Sequence, residues 1–365
     1  MLVKLGNYVE LRQGLAINAQ SKHLISTKKS LEYSYPLLKI VDMVNKNFST
    51  FVSSTVNNNV LAKYDDIIYT RTGQIGLAFR GFTGVVHNNS FIVSLLSDKL
   101  DKDFLFVILN SDFVKKQALT MAKNSVQADL THSMFKSIQI PLYDINTQKK
   151  IAKIIMSIES QLERNNAIVK KLQVLAHTTF DYFSKNNTKS NFVVLNDILV
   201  EKDKSKIQVS NVQDASGFIP FFTSGDTILY TNKKLQTGFN IFLSTGGNAK
   251  VQAYYGDVAY STDTWCITAK NNLQFYLFGY LKHIESQMNK LYFHGTGLKH
   301  LQKPIFLKST ISIPNEDLLM KYNTIVEPIY HQISKIERST IQLQCLKNKL
   351  LPLLINQQLV QKNPI

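Results

Sequence analysis

The clearest pattern along this chain is an apolar seam. Between Gln148 and about Phe183 apolar residues stand at Ile151, Ile155, Ile158, Leu162, Val169 and Leu172, with Asn165 in the one gap. The steps alternate between four and three, the period of a helix laying one stripe against another helix. The segment has neither Pro nor Gly to interrupt it. About 36 residues of helix would measure roughly 50 Å, more than a small domain is wide. A second seam follows near the C-terminus, at Ile325, Ile329, Ile333, Ile336, Leu343, Leu346, Leu350 and Leu353. Thr340 stands where another apolar residue would be expected.

Each seam has the same lead-in, a strand-like run ending in Pro: Ser137–Pro141 before the first and Thr310–Pro314 before the second. The two copies lie about 173 residues apart, far beyond the period of a solenoid. The spacing predicts two copies of a whole domain, each closed by a long helix. A long helix whose partner is its own duplicate most simply pairs with it antiparallel. The alternative is that each stripe is the core face of a separate helix.

Between the helices the pattern turns strand-like, and it repeats. In the first block Pro36–Val41, Tyr64–Gly73 and Phe91–Leu95 read as strands, and Gly76–Phe79 as the return of a hairpin. Asp103–Lys116 reads as a helix. In the second block Phe192–Leu195 matches the opening Lys4–Leu11, and Pro220–Phe222 matches Pro36–Leu38. Asn240–Gly247 matches Asp66–Gly73, Thr264–Ile267 matches Ser90–Val93, and Phe275–Leu281 matches the Phe104–Leu109 helix. His294–Leu298 stands where Asn124–Ala128 stood. The apolar pattern is kept while the polar loops differ: one fold with two different surfaces. The expected divisions are a first domain over 1–146, a helical spacer over 147–183, a polar linker over 184–190, a second domain over 191–316 and a second spacer over 317–357. The fold class is α+β, with the two helices packed as an antiparallel coiled coil.

Composition sharpens this. The 365 residues carry a net charge of +16, which favours a polyanionic partner such as nucleic acid. A Lys-rich composition that merely solvates the surface is the other account. Nearly all the positive charge is Lys, suited to phosphates; Arg12, Arg71, Arg80, Arg164 and Arg338 are the arginines that could read bases. The two cysteines, Cys266 and Cys345, have no ligand spacing around them and read as core residues in a reducing compartment. No run of 18 apolar residues occurs and the N-terminus lacks a signal-peptide pattern, so no membrane contact and a cytoplasmic location are expected.

The motifs of several enzyme classes are missing. Adjacent prolines do not occur, which removes the Asn/Asp-Pro-Pro-aromatic motif of amino-methyltransferases. A phosphate-cradling loop followed by Lys-Ser/Thr is absent too. Glu201–Lys204 reads as a charged loop rather than a nuclease element. His-x-x-x-His spacing is missing among the eight histidines, so no metal site is expected. Thr245–Gly247 and Gly295–Gly297 could approach a phosphate, or simply turn the chain.

Taken in order, these pieces resemble the specificity subunit of type I restriction-modification systems. Each block opens with a Leu-rich strand, Lys4–Asn7 and Val194–Asp197. The first holds a strand-turn element, Asp65-Asp-Ile-Ile-Tyr-Thr-Arg71-Thr-Gly73, similar to the family's Gly-Asp-Ile-Leu-x-x-Arg-x-Gly. Both end in the Ile-x-Ile-Pro lead, followed by Thr147–Ala152 in one copy and Tyr322–Ile329 in the other. The second strand-turn carries Thr245 in place of Arg, and the second helix entry lacks Gln-Lys-Ile. The resemblance implies a non-catalytic reader of double-stranded DNA with one target-recognition domain per half of a bipartite site. It also implies helices that set the gap and dock methyltransferase subunits and restriction/translocase subunits. S-adenosylmethionine, ATP and Mg would belong to those partners, not to this chain. The assembled complex would be an adenine-specific methyltransferase and a type I endonuclease.

Base readout needs donors and acceptors presented on loops. In the first block the candidates are Lys28, Lys29, Arg71, Thr72, Gln74, Arg80, Asn88, Asn89, Lys123, Ser125 and Gln127. In the second they are Lys204, Lys206, Lys233, Lys234, Asn248, Lys250, Tyr254, His294, Thr296, Lys299 and His300. Arg71 is the leading candidate, and its loss is expected to weaken DNA binding and leave folding intact. Tyr254 and Tyr255 could stack on a base, or be an aromatic pair within a sheet. Two other functions fit the chain: a coiled-coil scaffold whose globular ends bind proteins, and a specificity chain for a fused nuclease-methyltransferase.

Overall fold

The computed structural model describes residues 2–19, 21–123, 128–187, 191–212 and 217–355. The chain divides into two compact units, one formed by residues up to 160 together with those from 346 onward, the other by residues 161–345. Each is an α+β unit, and the four-stranded main sheets of the two share one strand order, while the small sheet beside it has five strands in the first unit and three in the second.

In the first unit β1 (Leu2–Lys4) pairs antiparallel with β8 (Gln139–Pro141), the strand that precedes the long helix. A four-stranded antiparallel sheet follows the order β2 (Val9–Gln13), β7 (Ser90–Leu95), β4 (Ile67–Thr70), β5 (Ala78–Phe79). Beside it β3 (Tyr35–Leu38) runs parallel to β6 (Gly84–Val86). Then come α1 (Lys102–Leu109), α2 (Asp112–Lys123) and the long α3 (Ile145–Lys185).

The second unit repeats the terminal strand pair, the main sheet and the parallel pair beside it. Its β9 (Asn191–Val194) pairs with β16 (Thr310–Ile313). The sheet order is β10 (Leu199–Glu201), β15 (Thr264–Ala269), β12 (Phe239–Ser244), β13 (Val251–Tyr255). β11 (Ile219–Phe222) runs parallel to β14 (Ala259–Tyr260). Two later helices are α4 (Gln274–His283) and the long α5 (Glu316–Ile355).

The central strands read as unbroken apolar runs because both faces of the sheet are covered. Successive side chains on a strand point to opposite faces. In the first unit Ile67, Tyr69, Phe91 and Val93 enter the core shared with the helices, while Ile68 and Ile92 pack with Leu38 and Val86 on the other side. In the second, Ile241, Leu243, Trp265 and Ile267 face the helices, while Phe242 and Cys266 meet Phe222 and Tyr260. Each unit is therefore three layers: helices, main sheet, small sheet. Burial pushes the Cys266 thiol up to about 12, so it stays protonated as a core residue.

Both long helices complete each core. In the first unit Ile151, Ala152 and Ile155 of α3 share a core with Leu350, Leu351, Leu354 and Ile355 of α5. Lys347 pairs with Glu159 at 2.8 Å. In the second, Ala176 and Phe180 of α3 share a core with Tyr322, Val326, Ile329, Tyr330 and Ile333 of α5. Phe183 packs on Tyr322 at 5.6 Å between ring centroids, and Asn165 Nδ2 donates to Thr340 Oγ1 at 3.0 Å. Higher numbers on α3 meet lower numbers on α5 throughout the second unit, so the pairing there is antiparallel.

Ile158, Asn165, Ile329 and Ile333 are buried in the pairing, and Leu162, Val169, Leu172, Ile336, Leu343 and Leu350 are half-buried. Ile325 is a correction: it is 47% exposed, and Val326, fully buried, holds the seam position between Tyr322 and Ile329. Ile325 lies one residue, about 100° of helix, off the inward stripe. Leu346 is likewise exposed.

Two boundaries also differ from the expected ones. The strand from Pro36 stops at Leu38, and Ile40–Asn45 turns helical, closed by Lys46 in the left-handed region. The helix expected over 103–116 is two helices. Asn110 between them accepts from the Ala78 N–H and donates to the Ala78 carbonyl, each at 3.1 Å, and the Ser111 hydroxyl bonds the Ile108 carbonyl. Such polar side chains compete with the helix for backbone partners. The missing Gln-Lys-Ile at the second helix entry is replaced by other chemistry. Gln148, fully buried, donates to the Lys99 and Tyr143 carbonyls and accepts from the Asp101 N–H, each at 2.8 Å. In the second unit Asn323 donates to the Asn272 carbonyl at 2.8 Å and the Tyr322 hydroxyl to that of Phe275 at 3.3 Å.

Thr340 keeps a second bond, donating to the Ile336 carbonyl at 2.8 Å, whereas the Asn165 amide depends on Thr340 and on Gln161. Asn165→Leu should therefore raise the thermal midpoint, and Thr340→Val should lower it by leaving a buried amide donor unpaired, at about 1–3 kcal/mol. Differential scanning calorimetry of both variants checks this; a fall for Asn165→Leu contradicts it.

Candidate nucleic-acid interface

One end of the main sheet is built the same way in both units. In the first, the chain leaves β4 at Arg71. The Arg71 N–H donates to the Asn89 carbonyl at 2.8 Å, and the Leu130 N–H donates to the Arg71 carbonyl at 3.0 Å. Thr72 forms an isolated antiparallel bridge with Asp129. In the second unit the Thr245 N–H donates to the Asp263 carbonyl at 3.2 Å, and the Leu301 N–H donates to the Thr245 carbonyl at 3.0 Å. Gly246 bridges His300 in the same way. Gly73 and Gly247 then turn the chain at φ 72° and 81°, a region in which a side chain is strained, with open space around each.

Three loops thus meet at each sheet end. In the first unit they carry Arg71, Thr72 and Gln74, then Asn88 and Asn89, then the segment entering at Asp129. In the second they carry Thr245 and Asn248, then Asp263, then the Phe293–Leu301 hairpin, which presents His294, Thr296, Lys299 and His300, all exposed. Ser125 and Gln127 lie outside the described residues.

The side chains filling this frame differ. The Arg71 guanidinium makes a two-pronged ion pair with Asp129, its Nε donating at 2.9 Å and its Nη2 closing the second prong, and donates through Nη1 to Gln13 Oε1 at 3.1 Å. Gln13 in turn donates to the Asn88 carbonyl at 2.9 Å. Arg71 therefore locks loops 88–89 and 129–130 onto the sheet end, and its side chain is 22% exposed. At Thr245 the hydroxyl donates instead to the Asp263 carbonyl, at 2.7 Å. Burial and the nearby Arg71 hold His132 below the usual histidine range, and burial with Lys39 does the same to His87. Gln13 and Asp129 were not among the sequence candidates. Gln13 ends the VELRQ run just before Gly14, a strand-end signal of the kind that singled out Arg71.

Other candidates fall elsewhere. Arg80 follows β5 at the opposite end of the hairpin, since Ile68 pairs with Phe79 and Tyr69 with Ala78. It pairs with Asp65 and Asp103, and Lys102 joins Asp65 at 2.8 Å. Lys28, Lys29, Lys204, Lys206 and Lys233 are exposed on other loops, and Lys123 is exposed at the last residue of α2. Lys234 pairs with Asp257 at 3.5 Å and Lys250 with Asp226. Tyr254 is a correction. It is 6% exposed, its ring packs against Phe222, and its hydroxyl donates to the Ser334 carbonyl at 3.4 Å. Burial pushes that hydroxyl up to about 12. Tyr255 packs on His331 of α5 at 3.6 Å between ring centroids. This pair fastens the sheet to the long helix.

The model of the type I restriction modification DNA specificity domain matches residues 3–174 and again 187–343. The chain belongs to this family. It is 25% identical over 194 residues to the type I restriction enzyme MjaVIII specificity subunit of Methanocaldococcus jannaschii; the match covers 52% of this chain and spans 42% of that relative's length. The crystal structure of a type I restriction-modification S subunit from M. genitalium superposes with a TM-score of 0.68 over 97% of this chain and 96% of that one, at 14% identity, a likeness of fold. Among the described residues no helix is long and apolar enough to cross a membrane.

Removing the Arg71 guanidinium takes away the two-pronged ion pair to Asp129 and the bond to Gln13 Oε1. Arg71→Ala should lower unfolding stability by about 1–2 kcal/mol, the worth of a charged hydrogen-bond pair reduced by partial exposure. Arg71→Lys should restore only part, lacking the fork. Urea unfolding measures both; unchanged stability in Arg71→Ala would contradict the locking role.

Proposed function

We propose that this chain is the DNA-reading subunit of a type I restriction-modification complex and that each unit reads one half of a bipartite target through its sheet-end loops. The observation that carries this is the repeated hydrogen-bond frame with exchanged side chains. A single backbone scaffold holds Gln74, Asn88 and Asn89 in one copy, and Asn248, His294, Thr296, Lys299 and His300 in the other, while the Thr72 hydroxyl is buried. These amides, hydroxyls and imidazoles suit base edges. The net charge of +16 supplies the non-specific attraction to phosphate. Arg71 acts as the positioning residue of its loops. The recognition domains are residues 1–146 and 191–316, with the spacers over 147–183 and 317–357 and a linker over 184–190.

The long helices are the docking surface for methyltransferase subunits and, through them, restriction/translocase subunits. Ile154, Ile168, Val174, Leu175, Ile325 and Leu346 support this: they are large apolar side chains on α3 and α5, each at least 44% exposed. S-adenosylmethionine, ATP and Mg are bound by those partners, and the complex works in the cytoplasm. Co-purification with a separate methyltransferase chain, rather than with a fused nuclease-methyltransferase, distinguishes the two kinds of complex.

Binding to duplex DNA should weaken steeply with salt, log K against log salt having a slope of about −5 or steeper, since each phosphate contact contributes about −0.9. Fluorescence anisotropy across a salt series reads this slope. A flat dependence would favour a protein-binding scaffold.

A further inference from the structure

We infer that the second unit carries a divalent transition-metal site of two imidazoles and one carboxylate, formed by His177, Asp181 and His283. His177 and Asp181 lie one turn apart on α3, so their side chains share a face. His283 is the last residue of α4. His283 Nδ1 is 2.9 Å from Asp181 Oδ1, and His177 Nε2 is 3.8 Å from Asp181 Oδ2. The three ligand atoms all lie within 4.8 Å of one another. Tetrahedral zinc, with bonds of about 2.0–2.2 Å, needs its ligand atoms about 3.3–3.6 Å apart, so side-chain shifts on the order of 1 Å would close the site.

A separate feature sets this geometry. A Cβ on Gly279 would stand 2.5 Å from the Phe180 ring, so only glycine lets α4 approach α3 this closely. Gly279 lies one turn before His283, and Phe180 one residue before Asp181. The ring of Phe180 contacts that of His283 at 5.8 Å, which steadies the imidazole over the helix face. The neighbouring cation is turned away: Lys282 Nζ reaches the Val251 carbonyl at 3.3 Å and Glu285 at 2.5 Å. The three side chains are 45%, 33% and 50% exposed, which leaves an entry path and room for water as a fourth ligand. Nitrogen and carboxylate donors of this kind suit Zn²⁺ and its borderline neighbours rather than Ca²⁺ or Mg²⁺. The bound ion would join the spacer helix to α4 of the recognition domain. A search for His-x-x-x-His in sequence misses it, because the second imidazole lies about a hundred residues further along the chain.

The test is calorimetric titration of the untagged, metal-stripped full chain with Zn²⁺, beside His177→Gln, Asp181→Asn and His283→Ala. The site predicts one equivalent bound by the wild type, with affinity falling at least tenfold in each variant. It also predicts a thermal midpoint raised by Zn²⁺ in the wild type and not in His283→Ala. Circular dichroism confirms that the variants are folded. Should a variant unfold, Co²⁺ absorption of the wild-type chain keeps the test open: d–d bands of a low-coordinate nitrogen-oxygen site support the proposal, and the spectrum of free aqueous Co²⁺ overturns it. Equal Zn²⁺ affinity in the wild type and the folded variants, or no stoichiometric binding, also overturns it and leaves an ordinary ion-pair cluster.

Discussion

The constraint on which this structure depends is that neither globular core closes without both long helices. In each unit the main sheet has an apolar face that the short helices cover only in part. The remainder is covered by one stretch of α3 and one stretch of α5, chain segments roughly 200 residues apart in the first unit and roughly 150 in the second. Each fully buried large apolar side chain contributes about 1.5–3 kcal/mol. The dozen or so that the helices supply are therefore a substantial part of what keeps each unit folded. That is why the helices are long, why they run antiparallel in the second unit, and why the few polar residues allowed into their pairing are bonded to one another.

Freed from closing the core, the loops at the sheet end can vary. The backbone hydrogen bonds that hold them run from strand ends and recur at matching positions in both copies, Arg71 and Thr245, Leu130 and Leu301. Side chains on such a frame can be exchanged without unfolding it. The two units show this directly: one uses an arginine and an aspartate to fix its loops, the other a threonine hydroxyl and a two-stranded hairpin.

Much of the architecture was legible in the sequence. The three-four step of the seams gave the helices, and the duplicated Ile-x-Ile-Pro lead gave the repeat, since both are local patterns tied to burial. The polar gaps at Asn165 and Thr340 were visible one at a time, and only the structure joins them. What periodicity could not supply was phase and partnership. Ile325 and Val326 are equally apolar, and only packing tells which one turns inward. Tyr254 left open a stacking face or an aromatic pair within a sheet, and only the structure decides for the sheet, with the ring laid under the long helix. Arg71 was correctly placed at a strand end, but its engagement with Asp129, 58 residues away, follows from tertiary contact alone. The His177, Asp181 and His283 cluster was hidden for the same reason.

The central claim is that the two sheet-end surfaces read separate words. The most direct measurement is mapping of methylated adenines in cells carrying this chain with its methyltransferase, compared with cells in which the exposed residues of the 293–301 hairpin are replaced. The account predicts a bipartite methylated motif of which one half changes and the other is retained. A motif unaltered by the replacement, or altered in both halves at once, would contradict it.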